Sequence, residues 1–186
     1  MSDIFLSLIL GIIQGLTEFL PISSSAHLLM PSLGFGANDL GLGFDIAVHA
    51  GTLCAVIYFF KNDLKVYALS IFNTSNSYQN ERRVAINLLI ATIPIVFTGI
   101  LFNDLISQRL VTKELIAWSN IFFASLLLLS FHLSKKNKDI FHLSILMSLF
   151  IGCVQVFALI PGASRSGVVI MAVSYTHLTL PTIYSV

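Results

Sequence analysis

The feature that most constrains this chain is a set of long segments without ionised side chains. Residues 84–102, 115–133 and 141–160 contain no Asp, Glu, Lys or Arg, and residues 43–60 form a fourth, mainly apolar segment. About 20 apolar residues allow a helix to cross the hydrocarbon core of a bilayer. The pattern predicts an all-α integral membrane protein with about four full spanning helices.

The composition supports a bilayer as the solvent for most of the surface. Hydrophobic residues make up 56% of the chain and charged residues only 10%, whereas soluble domains carry about 25% charged residues. The net charge is +1, and the sequence has no basic patch suited to following a nucleic-acid backbone. Nucleic-acid binding is therefore excluded as a function class.

Two shorter segments are interrupted in a similar way. The apolar run of residues 4–17 is interrupted by Glu18, and Pro21 and three serines follow. Residues 152–160 are likewise followed by Pro161 and small hydroxyl residues. Paired broken helices often form a binding site within a membrane protein. The pattern predicts that these two segments are re-entrant and contribute to one site.

The loop charges indicate the orientation of the chain. Between predicted spans, the basic residues gather in two loops and are fewer in residues 103–114. The richer loops contain Lys61, Lys65, Arg82 and Arg83, and Lys135, Lys136 and Lys138; the poorer one contains Arg109 and Lys113. Because basic loops remain cytoplasmic, residues 21–27 and 161–167 are predicted to approach the same extracytoplasmic face.

Glu18 and Gln14 are the first candidates for chemistry. An ionised group within a membrane is costly unless it has a task or a partner, and a spacing of four residues places both side chains on one helix face. Glu18 is predicted to be a metal ligand or a general base. The alternative is an interfacial carboxylate that is merely solvated.

Hydroxyl groups lie beside an imidazole in the next segment. Ser24 and His27 could act as a nucleophile with its base or acid, and Ser23 and Ser25 add further hydroxyls. Two structural alternatives remain: Ser23 could cap a new helix, and His27 could be a passive interfacial histidine.

The segment at residues 161–167 is suited to binding an anion. Gly162 and Gly167 allow the backbone to approach a ligand closely, and Ser164 and Ser166 add donors. Arg165 can grip phosphate oxygens with two hydrogen bonds, although it could instead reach lipid headgroups.

Together these residues favour phosphoryl transfer, in which an arginine and N–H groups stabilise charge on the transferred group. No Walker lysine motif occurs, which argues against a nucleotide. Asp45 and His49, spaced four residues apart, are further candidates near the same face, either behind the site or linked to a metal.

Three motifs resemble the undecaprenyl-diphosphate phosphatase family of the bacitracin-resistance type. Residues 14–27 resemble its first signature, residues 161–167 its second, and residues 44–53 a further family segment. The resemblance covers about residues 1–172. It implies inverted-topology repeats with re-entrant helix pairs.

The resemblance also implies an activity and a location. Members hydrolyse undecaprenyl diphosphate to undecaprenyl phosphate and inorganic phosphate, which recycles the carrier lipid for peptidoglycan synthesis and confers bacitracin resistance. The expected location is the bacterial inner membrane, multi-pass, with the active site facing the periplasm. A homodimer is an open expectation. The alternative function is a polyprenyl-phosphate transporter or flippase that uses the same site.

The resemblance assigns roles to the candidate residues. The implied catalytic residues are Glu18, Ser24, His27 and Arg165. The implied substrate-binding residues are Ser23, Ser25, Gly162, Ser164, Ser166 and Gly167. The implied cofactor is a divalent cation, Mg²⁺ or Ca²⁺, held by Glu18 and Gln14, and a glutamine at position 14 provides one charge fewer than a glutamate. The nucleophile remains open among Ser24, His27 and water.

The end of the sequence departs from this family pattern. Residues 173–186 are polar, contain Pro181 and do not continue the expected helix. The expectation is a membrane-embedded domain at residues 1–172 with an incomplete second repeat, followed by a tail at residues 173–186. A frameshift, assembly or cloning artefact is the hypothesis for that tail.

Overall fold

The computed structural model describes residues 3–73, 75–108, 111–134 and 140–176, and these residues form helices and turns without a strand. The helices are α1 (Asp3–Thr17), α2 (Ser24–Phe35), α3 (Gly41–Phe59), α4 (Lys61–Phe72), α5 (Gln79–Leu101), α6 (Asn103–Ser107), α7 (Lys113–Leu133), α8 (Ile145–Gln155) and α9 (Arg165–Tyr175). Short 3₁₀ turns occupy Asn76–Tyr78, Ile140–His142 and Val156–Leu159. The predicted all-α class is confirmed.

Within the described ranges, three helices are long and apolar enough to cross a membrane. They are Gly41–Phe59, Asn76–Leu101 and Lys113–Leu133, and they correspond to three of the predicted spans. Their apolar side chains are mostly exposed, as expected where lipid rather than water surrounds the protein.

The fourth predicted span, residues 141–160, is a shorter structure. Its helical part, Ile145–Leu159, has fewer than 18 residues and includes a 3₁₀ turn. The helix begins late because Ser144 caps it, accepting a hydrogen bond from the backbone N–H of Met147 at 3.2 Å. An apolar run therefore enters the membrane here without forming one full spanning helix.

α8 packs along α5 in the same direction. Near the beginning of both helices, Asn87 Nδ2 donates to the Leu143 carbonyl at 2.8 Å. Further along, Gly152 lies so close to α5 that a Cβ there would be 2.5 Å from the Ala91 carbonyl oxygen and 3.0 Å from Pro94 Cδ. Pro94 lies inside α5 and does not end it, and Gly152 makes the close approach possible.

Two helical hairpins carry the predicted signature segments. α1 and α2 pack through Leu6, Leu10 and Leu28. α8 and α9 pack through a separate cluster that includes Ile151 and Ala172. Each hairpin has a proline in its turn and a serine just before its second helix.

The hairpins enter from opposite ends of the molecule. The open end of α1–α2 lies beside the beginning of α3, where Asn38 Nδ2 donates to Asp3 Oδ1 at 3.0 Å. The open end of α8–α9 lies beside the beginning of α5. α3 and α5 are consecutive candidate spans separated by the shorter α4 and a 3₁₀ turn, so they cross the membrane in opposite directions. This arrangement agrees with the expected inverted repeats.

Some sequence predictions fall outside the described residues. They concern Arg109, Lys135, Lys136 and Lys138, and residues 177–186 of the predicted tail. α9 itself extends to Tyr175, past the predicted boundary at residue 172. The nature of the tail stays a prediction.

Candidate active site

Glu18 lies at the end of α1, where the chain turns towards α2. Gln14 Nε2 donates to Glu18 Oε2 at 2.8 Å, so the predicted shared face is confirmed. Gln14 is fully buried, and the Glu18 side chain is 15% exposed. The carboxylate is therefore shielded from the surroundings but is not sealed off.

The same carboxylate oxygen is the meeting point of three side chains. Besides Gln14, Ser24 Oγ donates to Glu18 Oε2 at 2.6 Å, and His49 Nε2 lies 3.6 Å from it. A short hydrogen bond from a hydroxyl to a carboxylate is of the strong, charge-assisted type. It holds Ser24 in the geometry that a carboxylate needs in order to accept the hydroxyl proton.

Ser23 does not cap α2 through its side chain, in contrast to one of the structural alternatives considered for it. It occupies the residue before the helix with φ 61° and ψ 87° and makes no side-chain cap. Its hydroxyl lies instead 3.2 Å from Ser25 Oγ. Among the described residues, Ser23 is the one non-glycine with positive φ, a conformation that stores strain and occurs often at functional sites.

His27 supports this turn and does not contact Glu18. Its Nδ1 donates to the Ser23 carbonyl at 2.8 Å, since a carbonyl oxygen can only accept. No hydrogen bond joins His27 to Ser24 within the described part of the chain, and His27 lines neither of the two cavities described below. Its implied catalytic role remains a prediction.

His49 is the imidazole that the fold brings to Glu18. Its Nδ1 donates to the Asp45 carbonyl at 2.7 Å, which fixes the ring and turns Nε2 towards the carboxylate. The sequence named His49 only as a candidate behind the site or linked to a metal. The signal was a polar pair in an apolar helix, but the contact depends on how α3 packs on α1.

The second hairpin turn is shaped by Gly162. It has φ 92°, and a Cβ there would be 2.7 Å from the Ile116 carbonyl oxygen. Ser164 then begins α9 and accepts a hydrogen bond from the Gly167 N–H at 3.3 Å. These contacts place the start of α9 against α7 and against the first hairpin.

Ser164 and Ser166 join the two hairpin turns. Their hydroxyls lie 3.0 Å apart, and they donate to the Leu20 carbonyl at 3.4 and 2.8 Å respectively. Ser166 thus bridges the two turns and lines neither of the two cavities described below, so its role towards substrate stays a prediction. Arg165, between them, is exposed and makes no hydrogen bond or ion pair with the other described residues.

Six of the predicted residues line a small polar cavity of about 90 Å³, whereas Gln14, His27, Gly162, Ser166 and Gly167 do not. Its lining consists of Glu18, Ser23, Ser24, Ser25, His49, Ala158, Ala163, Ser164 and Arg165. A larger cavity of about 680 Å³ shares Glu18, Ser25, His49 and Arg165 and continues along mainly apolar side chains. The arrangement places a polar pocket that contains Arg165 at the head of an apolar groove.

The oxygen atoms around Glu18 suit a hard cation. Gln14 Oε1 is buried and has no hydrogen-bond partner among the described residues, and it belongs to the amide group whose Nε2 donates to Glu18. Mg²⁺ and Ca²⁺ prefer such oxygen ligands. The described residues contain no cluster of three His, Cys, Asp or Glu side chains, so a cation here would rely on a bound anion for further ligands.

The fold and this cavity define a class: a multi-helix membrane protein with a polar cavity where two helical hairpins meet. The chain belongs to the bacitracin resistance protein BacA family, whose family model matches residues 7–182.

Similar proteins carry one name. The chain is 42% identical over 172 residues to an undecaprenyl-diphosphatase of Alcanivorax borkumensis, covering 91% of this chain and 65% of that protein. It is 40% identical over 171 residues to that of Saccharophagus degradans (91% and 64%). With that of Teredinibacter turnerae the identity is 39% over 178 residues (95% and 67%). The chain thus spans slightly under two thirds of the first two relatives.

Proposed function

We propose that this protein hydrolyses undecaprenyl diphosphate to undecaprenyl phosphate and inorganic phosphate, and so recycles the carrier lipid for peptidoglycan synthesis. The observation that carries the proposal is the Ser24–Glu18 hydrogen bond of 2.6 Å in a cavity that also contains Arg165. The name of the relatives supports the substrate.

The proposed reaction uses Ser24 as the nucleophile. Ser24 Oγ forms a bond to the terminal phosphorus while the bond from that phosphorus to the bridging oxygen breaks. The proton moves from Oγ to Glu18, and lipid monophosphate leaves. Water then attacks the phosphorus of the phosphoserine and the bond to Oγ breaks. Glu18 returns its proton to Oγ, and both hydrogens of the water leave with the inorganic phosphate. Direct attack by water, with Glu18 as its base, is the alternative that the same contacts support.

Arg165 and His49 have separate proposed tasks. The guanidinium of Arg165 has no competing partner among the described residues and lines both cavities, so it is free to bind the diphosphate oxygens and to stabilise charge in the transition state. His49 orients Glu18 from the opposite side of the cavity.

A divalent cation fits beside Glu18 and Gln14 Oε1. When bound, Mg²⁺ or Ca²⁺ would neutralise charge on the phosphate oxygens, and those oxygens would complete its shell. One carboxylate makes this a weak site in the absence of substrate.

The larger cavity is the proposed path of the lipid chain. Its walls beyond the polar pocket include Leu42, Ile46, Leu53 and Leu159. The site is proposed to open towards the periplasmic side of the bacterial inner membrane, since the beginning of α3 lies opposite the basic residues Arg82 and Arg83. Assembly as a homodimer stays a prediction.

The decisive experiment is phosphate release from a polyprenyl diphosphate in detergent, with a full-length relative assayed in parallel. Ser24→Ala, Glu18→Gln and Arg165→Gln should each lower kcat at least about 100-fold. Ser125→Ala is the matched control, because Ser125 bonds only the Ile121 carbonyl of its own helix. Full activity in Glu18→Gln and Arg165→Gln would refute the site. Lipid translocation that survives Ser24→Ala without phosphate release would favour the flippase.

The cation is tested with the same assay. EDTA should abolish phosphate release, and Mg²⁺ should restore it. Gln14→Glu adds a second carboxylate and should lower the Mg²⁺ concentration for half-maximal activity by roughly tenfold, because affinity follows ligand charge. An unchanged Mg²⁺ requirement would show that Gln14 is not a ligand of the metal.

A further inference from the structure

A second polar cavity lies at the beginning of α5, far from the candidate active site. Its volume is about 740 Å³, and Arg82, Arg83, Asn87 and Ser144 are among its lining residues. None of the residues that line it lines either cavity of the candidate active site. This cavity is therefore not a part of the phosphoryl-transfer pocket.

The charge of this cavity is positive. Arg82 and Arg83 both line it, and no carboxylate is among its described lining residues. The Arg82 guanidinium is held by a hydrogen bond to the Asn73 carbonyl at 3.2 Å. At the opposite wall α8 begins, and the first N–H groups of a helix add positive potential.

The wall of the cavity is fixed by buried contacts. Asn87 is 2% exposed, and its Nδ2 donates to the Leu143 carbonyl at 2.8 Å. This bond ties α5 to the turn before α8. The two arginines thus face a defined wall and not a free loop.

The rim indicates what kind of anion enters. Ile145 and Leu146 are 64% and 77% exposed beside the cavity, and the apolar part of α5 begins at Val84. A cavity with arginines inside and bare apolar side chains at its edge lies at headgroup depth. A free anion would gain nothing from the apolar edge, whereas a lipid would cover it with its acyl chains.

We propose that this cavity binds a phosphate group carried by an anionic membrane lipid, in the leaflet opposite to the candidate active site. The phosphate contacts Arg82 and Arg83, and the acyl chains lie against Ile145 and Leu146. The proposal does not depend on the catalytic function.

The test is native mass spectrometry of the purified chain in detergent with phosphatidylglycerol, phosphatidylcholine or inorganic phosphate. The two lipids share the phosphodiester and differ in net charge. Phosphatidylglycerol should bind roughly 10- to 30-fold more tightly than phosphatidylcholine. Arg82→Gln with Arg83→Gln should abolish that preference, and each single variant should reduce it.

Lys65→Gln is the matched control, since Lys65 is an exposed cation that does not line the cavity. It should retain the preference, and circular dichroism should show all variants equally helical. An equal loss in Lys65→Gln, or an intact preference in the double variant, would overturn the proposal. Displacement of phosphatidylglycerol by millimolar inorganic phosphate would overturn the lipid as its source.

Discussion

At the scale of single residues, the strained backbone of Ser23 lies at the centre of the site. Its left-handed conformation turns the chain between Glu18 and Ser24, and its carbonyl is held by the His27 ring. A non-glycine residue in this region costs about 1–3 kcal/mol. The strain is maintained by the surrounding contacts of the turn.

Replacement of Ser23 tests this strain. Ser23→Gly should preserve or raise the thermal unfolding temperature in detergent, because glycine adopts φ 61° without a steric cost. Ser23→Ala keeps the strain and loses the contact with Ser25, so it should lower that temperature. If alanine proves more stable than glycine, the left-handed turn is not present in the protein.

Replacement of His49 and replacement of His27 should have different effects on kcat and on the unfolding temperature. His49→Ala should lower kcat by roughly 10- to 100-fold with little change in unfolding temperature, because His49 is one-third exposed and contacts Glu18. His27→Ala should lower both kcat and unfolding temperature, since the Ser23 carbonyl loses its side-chain donor at a cost of about 1 kcal/mol and keeps only the His27 backbone N–H at 3.4 Å. The test is to measure kcat and the unfolding temperature for both variants. Identical effects would contradict the separate placement of the rings.

The residues of the site differ in how far their positions could be predicted from the sequence. Glu18, Ser24 and Arg165 were predicted because ionised and hydroxyl groups are rare in apolar segments. The contact of His49 could not be assigned, because it depends on tertiary packing. The backbone of Ser23 could not be predicted either, since serine has no preference for positive φ.

At the scale of elements, the close packing of α5 on α8 depends on Gly152. A Cβ at this position would overlap the Ala91 carbonyl oxygen, and the clash involves backbone, which cannot rotate away. The helices would have to separate along their whole contact.

Gly152→Ala should therefore destabilise the protein by about 1–3 kcal/mol, the usual cost of overpacking. Gly99→Ala is the control, because Gly99 lies on α5 and a Cβ added there would have nothing within 4 Å. Thermal unfolding of both variants in the same detergent gives the comparison. A stable Gly152→Ala variant would mean that α8 does not approach α5 this closely.

The helices themselves illustrate what an apolar pattern can and cannot predict. Residues 84–102 and 115–133 lie in long helices, as expected from their length. Residues 141–160 are equally apolar, yet they form a 3₁₀ turn, the shorter α8 and another 3₁₀ turn. Hydropathy indicates that a segment is surrounded by lipid or by apolar protein. It does not indicate whether the segment spans the membrane or turns back within it.

At the scale of the whole molecule, the antiparallel course of α3 and α5 gives a topology that can be tested. The beginning of α3 and the beginning of α5 lie at opposite ends. Because basic loops remain cytoplasmic, the basic residues near the beginning of α5 place that end in the cytoplasm. The proposed orientation therefore predicts that Asn38 is outside and Ser77 is inside.

Single cysteines check this orientation. Cys54 and Cys153 are both free and exposed, so they are first replaced by alanine. In intact cells, a membrane-impermeant maleimide should label Asn38→Cys and should not label Ser77→Cys until the membrane is permeabilised. The reverse pattern would invert the proposed orientation.

The contact of Ser166 with the Leu20 carbonyl has a consequence for biogenesis. The two residues are separated by 146 positions, and translation proceeds at about 5–20 residues per second. The first hairpin therefore waits on the order of 7–30 s for the second during synthesis. Throughout that interval Glu18 and Ser24 are in the membrane without Arg165, so the proposed mechanism predicts that a nascent chain does not act on lipid before both hairpins have been inserted.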